Sequence, residues 1–81
     1  MNPSIRESVL VLGVLQGTGV QSPCVVRAVK VSIPRLDVFE YVKAEVAEAP
    51  ANLPEGNYEL FFEGRRMQVH RAFGDWRIKG F

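Results

Sequence analysis

Over the last quarter of the chain, 57–81, apolar and polar positions alternate one for one. Tyr58, Leu60 and Phe62 interleave with Glu59, Phe61 and Glu63; Met67, Val69 and Phe73 with Gln68, His70 and Ala72; Trp76 and Ile78 with Arg77 and Lys79. A period of two sends successive side chains to opposite faces of a strand, so this stretch predicts a three-stranded antiparallel meander with one buried face. Gly74-Asp75 suits a two-residue hairpin, where glycine supplies the positive φ, and would set Phe73 opposite Trp76. A four-residue loop over 63–66 would set Phe62 opposite Met67. In that register Glu59, His70 and Lys79 form a cross-strand row on the outer face. Arg71 falls between Tyr58 and Ile78 on the inner face, either as a rim residue whose charged end reaches water or as a contact for a partner.

The first fifty residues support two readings. Asn2-Pro3 fits a helix start, Ile5, Val9 and Leu12 follow at helical spacing, and Gly17 offers a stop. Ser22-Pro23 repeats the start signal, and Ser32 can cap a third segment in which Leu36, Phe39, Val42 and Val46 form a stripe. Against this, 9–15 and 25–33 are rich in β-branched residues, and Val25, Arg27, Val29, Val31 and Ile33 alternate as a strand would. The expected fold class is α+β, with two or three N-terminal helices over 1–49 packed on the C-terminal three-stranded meander. The alternative is an all-β small barrel of about six strands. A proline- and glycine-bearing connection over 49–56 joins the halves, and neither half is large enough for its own core, so 1–81 is read as a single domain.

Composition narrows the classes. Eighty-one residues with 47% hydrophobic and 23% charged side chains describe an ordinary globular chain rather than a disordered one. The lone Cys24 has no partner for an internal disulfide, which favours a reducing, cytoplasmic location. The apolar run 9–15 is too short to span a bilayer, and Glu7 disfavours a signal-peptide reading. The net charge of +1 conceals a division: residues 1–36 carry four bases and one acid, 37–63 one base and seven acids, and 64–81 five bases and one acid. Two basic ends around an acidic middle predict a polarised surface.

Under the helical reading, residues 22–42 resemble a helix-turn-helix. Val25 and Val29 supply the apolar face of a first helix, Val31 the hydrophobe at the turn, Ser32 a cap, and Leu36 and Phe39 the inner face of a second helix. Followed by a β-hairpin, the order is similar to that of winged-helix DNA-binding proteins. That resemblance implies a DNA-binding regulator whose wing touches the backbone. Arg65 and Arg66 at the hairpin tip, with Arg27, Lys30 and Arg35, are the expected phosphate contacts.

Little else in the chain points to chemistry. One cysteine and one histidine offer no zinc spacing, and Gly13, Gly17 and Gly19 lack the lysine of a phosphate loop. Glu59 beside His70 would be half of an acid–base pair, but no nucleophile stands beside it. No cofactor, metal or catalytic group is therefore expected, and the chain is read as a small regulatory or accessory binding protein rather than an enzyme. Its partner would be duplex DNA or, in the competing reading, another protein engaged through Asp37, Glu40, Tyr41, Phe61 and Phe81. Outward Phe61 and the apolar end at Phe81 further predict a homodimer.

Overall fold

Three of the chain's turns use one device, a residue followed by glycine with both in the left-handed region. The φ values are 51° and 77° at Thr18-Gly19, 46° and 72° at Glu63-Gly64, and 54° and 81° at Phe73-Gly74. Two consecutive positive φ angles match the twist of the flanking strands and close tight hairpins. The computed structural model describes residues 5–33 and 38–80, with side chains over 7–30 and 43–79. It contains six strands: β1 (Ile5–Gly17), β2 (Val20–Ile33), β3 (Val38–Glu48), β4 (Gly56–Phe62), β5 (Arg65–Ala72) and β6 (Asp75–Gly80). They form one antiparallel sheet in the order β3-β2-β1-β4-β5-β6. The N-terminal meander β1–β3 and the C-terminal meander β4–β6 are joined where β4 pairs with β1 over Val14–Gln16. The sheet curls until β3 and β6 approach within 8 Å between Cα atoms without pairing, which makes a nearly closed barrel.

Inside the curl, Leu15, Val26, Tyr58, Leu60, Met67 and Val69 are fully buried, joined by Cys24, Ala28, Ala44, Leu53 and Phe62. All but Leu53, which lies in the connection between β3 and β4, come from the inward set of their strands. Gly13 also points inward, where a Cβ would sit 2.8 Å from Val26 Cγ2 and 2.9 Å from the Phe61 carbonyl oxygen. Its missing side chain lets β1 lie close against its neighbours. The connection from β3 to β4 must pass from the sheet's edge to its middle, across one barrel end. Leu53 plugs that end, and the Tyr58 hydroxyl secures it by donating to the Pro54 carbonyl at 2.6 Å and accepting from Thr18 Oγ1 at 2.9 Å. The overall extents are 46 × 21 × 19 Å, the long axis reflecting β1 and β2, at 13 and 14 residues.

The expected N-terminal helices are absent: no described residue is helical, and the all-β alternative is the architecture found. Residues 22–33 and 38–42 lie in β2 and β3, so the helix-turn-helix and its winged-helix extension have no scaffold here. β-branching favours this outcome, since valine-rich runs lose side-chain freedom in a helix and pack well on a pleated surface. Ser22-Pro23 starts no helix. Pro23 sits beyond the last β2–β3 pair, Val25↔Glu48, where β2 has no partner on its β3 side and a missing N–H is tolerated.

The C-terminal meander is present with its register moved by two residues at both turns. The loop after β4 is Glu63-Gly64 alone, which pairs Leu60, not Phe62, with Met67. The last turn is Phe73-Gly74 rather than Gly74-Asp75, so Arg71, not Phe73, faces Trp76. A two-residue slip preserves the face of every side chain, whereas a one-residue slip would invert it. Met67, Val69, Trp76 and Ile78 therefore keep the expected inner side, and only Phe73 is displaced, to a turn where it is 94% exposed.

Candidate binding surfaces

The sequence-derived phosphate contacts do not converge. Arg27 lies on the outer face of β2 and pairs with Glu45 across to β3 at 3.2 Å. Lys30 follows Ala28 on the other side of β2 and reaches Glu63 at 3.8 Å. Arg66, outward on β5, pairs with Glu59 at 3.4 Å, while Arg65 is exposed at the start of the same strand. Arg27, Lys30 and Arg66 thus stand against carboxylates, which offsets the positive potential that a phosphate-tracking face would present. Arg35, Asp37 and Phe81 lie outside the described residues, as do the side chains of Glu40 and Tyr41 in β3.

The expected row of Glu59, His70 and Lys79 is not formed. With the shifted register His70 faces Asn57 and Arg77. Its Nδ1 lies 2.8 Å from Asn57 Oδ1, which also accepts from Lys79 Nζ at 3.3 Å. Glu59 instead accepts from Gln68 at 3.2 Å. Among the described residues no carboxylate therefore orients the imidazole, and no three His, Cys, Asp or Glu side chains gather as a metal site would need. The Cys24 thiol is held above its ordinary pKa by burial, which disfavours the thiolate that nucleophilic chemistry needs.

Two surfaces stand out instead. The first is the outer face around β1. Leu12 is 81% and Leu10 61% exposed, and Val14 is half-buried on the same face. Cross-strand pairing sets Val25 beside Leu12, Pro23 beside Val14 on β2, and Phe61 beside Val14 on β4. Phe61, expected as a partner contact, thus belongs to a continuous apolar patch over three strands. Arg27–Glu45 borders it on one side and Glu59–Arg66 on the other, so each flank carries both signs. Sequence reasoning missed Leu10 and Leu12 as surface residues because a helical reading assigns a valine- and leucine-rich run to the core.

The second surface is a cleft of about 1130 Å³ where β3 and β6 part. Arg71 enters it from β5, with its guanidinium carbon 5.0 Å from the Trp76 ring centroid and its Nη2 donating to the Ala51 carbonyl at 3.2 Å. Tyr58 packs edge-on with Trp76, 5.1 Å between ring centroids and 70° between planes. Arg71 is on the inner face, as its place in the alternation predicts.

Among the described residues there is no helix long and apolar enough to cross a membrane. No protein-family model matches this chain, and searches of the curated proteins and of the solved structures return no match.

Proposed function

We propose that this protein is a non-catalytic binding module that self-associates through the outer face of β1, β2 and β4. The carrying observation is the exposed apolar patch of Leu10, Leu12, Val14, Val25 and Phe61, present outside a core that is already complete within the barrel. Isolated surface leucines need no explanation, but a contiguous apolar area ringed by polar groups has the anatomy of a protein interface. Its flanks favour a second copy of this chain. A twofold rotation about the patch centre lays a flank with both signs over another flank with both signs, and the ion pairs can exchange partners across the interface.

Size sets the expected strength. Leu10 to Val14 spans about 14 Å along β1, and β2 to β4 about 10 Å across. This apolar centre alone falls short of the roughly 800 Å² per partner of a standard interface, so the polar flanks must take part and affinity should be micromolar. Sedimentation velocity from low to several hundred micromolar protein tests this. A concentration-dependent dimer is expected, and Leu10→Lys with Leu12→Lys should abolish it while leaving the melting temperature near the parent's. A parent that stays monomeric, or a double variant that dimerises equally well, overturns the proposal. Salt-sensitive binding of duplex DNA by the monomer would assign the function to the basic residues instead.

A further inference from the structure

β3 and β6 are the two ends of the sheet, and each has one side of its backbone without ladder partners among the described residues. Such edges are templates for another extended chain. The cleft lies between them, with Cys24, Val46, Ala49 and Trp76 as its apolar walls and Glu45, Glu48, Asp75 and Arg77 also on its lining. At about 1130 Å³ it exceeds the usual range of about 300–1,000 Å³ for small-molecule pockets. Half-buried Arg71 is held in place by two uncharged groups, the Trp76 ring and the Ala51 carbonyl. No carboxylate lies within 4.0 Å of it among the described residues, whereas Arg27, Lys30 and Arg66 each have one. A guanidinium fixed by a single hydrogen bond and a ring face retains donors for a planar anion.

We infer that this cleft binds an extended peptide segment that adds to the open sheet edge and sets an acidic side chain on Arg71. Side chains two residues apart along a strand share a face, about 7 Å from each other. The next inward residue of the segment then meets the apolar wall at Val46 and Cys24 and should itself be apolar. Main-chain pairing supplies affinity and these two positions supply selectivity, the division of labour in strand addition. An aliphatic carboxylate would satisfy Arg71 but leave the sheet edge without partners, so a peptide fits the site more completely. Leu12, Pro23 and Val25 line both this cleft and the outer patch, so peptide binding is read at submicromolar protein, below the micromolar range of the proposed dimer.

Trp76 is the only tryptophan, so its emission reports occupancy directly. The probe is an acetylated, amidated heptapeptide with glutamate, valine and valine at alternate positions and threonine between them, titrated into submicromolar protein. A saturable change in emission is expected. The peptide with glutamine in place of glutamate should bind about tenfold or more weakly, the scale of a charge-assisted pair. Arg71→Met should lose the same preference for glutamate, and Arg71→Lys should keep part of it. The glutamine peptide makes the test independent of whether Arg71→Met folds. Equal affinity for the two peptides overturns the assignment. So does the absence of any change at millimolar peptide, or a change produced by decanoate and not by the peptide.

Discussion

β1–β3 and β4–β6 are both three-stranded antiparallel meanders, yet the first has strands of 13, 14 and 11 residues and the second of 7, 8 and 6. Their outer faces differ more than their lengths. Outward positions of the second meander are mostly polar, with Asn57, Glu59, Arg66, Gln68, His70, Arg77 and Lys79 facing water or one another. Outward positions of β1 and β2 include Leu10, Leu12, Val14, Val25 and Val29. The comparison teaches that period-two patterning does not come from strand geometry alone. It needs an outer face selected for contact with water, and β1, apolar on both sides, has none over 9–15.

Substitutions along β1 should separate its faces most sharply. Leu15 is fully buried, and Leu15→Ala should cost about 2–5 kcal/mol through lost transfer energy and a residual cavity. Leu12→Ala, three residues earlier but facing outward, should change the stability of the monomer by about 0.5 kcal/mol or less. Urea unfolding at low micromolar protein measures both. Equal losses at the two positions would erase the distinction between core and surface on which the outer-face interface rests.

A second, smaller effect belongs to the C-terminal meander. Phe73 occupies the first position of its turn at φ 54°, where bulky residues are disfavoured, and its N–H donates to the Glu55 carboxylate. Asparagine tolerates that conformation and retains the N–H, so Phe73→Asn should stabilise the fold by about 1 kcal/mol. For a chain this size, the melting temperature should rise by roughly 4–8 °C. A lower melting temperature would show that the exposed ring contributes packing not evident from its 94% exposure.

The smallest effect concerns Cys24 and pH. Burial raises its folded pKa above that of the unfolded thiol, about 8.5, so the folded state holds the proton more tightly. Its contribution is complete below the unfolded value and is lost as pH rises toward and through the folded one. The stability difference between the parent and Cys24→Ala should therefore be constant to about pH 8 and shrink in alkali. A difference that does not change with pH would mean that the thiol is more open to water than its place beside the cleft indicates.

Much of the second meander was legible from residue order alone. Alternation identified β4, β5 and β6, their inner faces and the inward place of Arg71, because apolar and polar positions there compete for opposite environments. The turns were misplaced, since Gly64 and Gly74 serve as the second residue of each loop, and this moved the polar row without moving the core. The acidic-middle, basic-ends division was also plain, but charges brought together by strand pairing, such as Arg27 with Glu45 eighteen residues away, are invisible along the chain.

The remainder was decided by tertiary structure. In β3, pairing passes from Val29↔Lys43 to Lys30↔Tyr41 and leaves Val42 as an extra residue. An extra residue breaks the period of two along the strand's own sequence, so the run also reads at helical spacing. The choice between helix and strand for β1 and β2 was likewise open in a valine-rich sequence, because a short apolar run is compatible with either when buried. It was resolved by neighbours: β1 gains β2 on one side and β4 on the other, and only an extended chain satisfies the backbone groups of all three. The sequence by itself determined the alternation and inner faces of β4, β5 and β6 and the presence of Gly64 and Gly74 in the turns between them. Whether the sheet closed, and whether Arg71 ended beside an open seam, depended on edge strands 11 and 6 residues long brought near each other through partners far away in the chain.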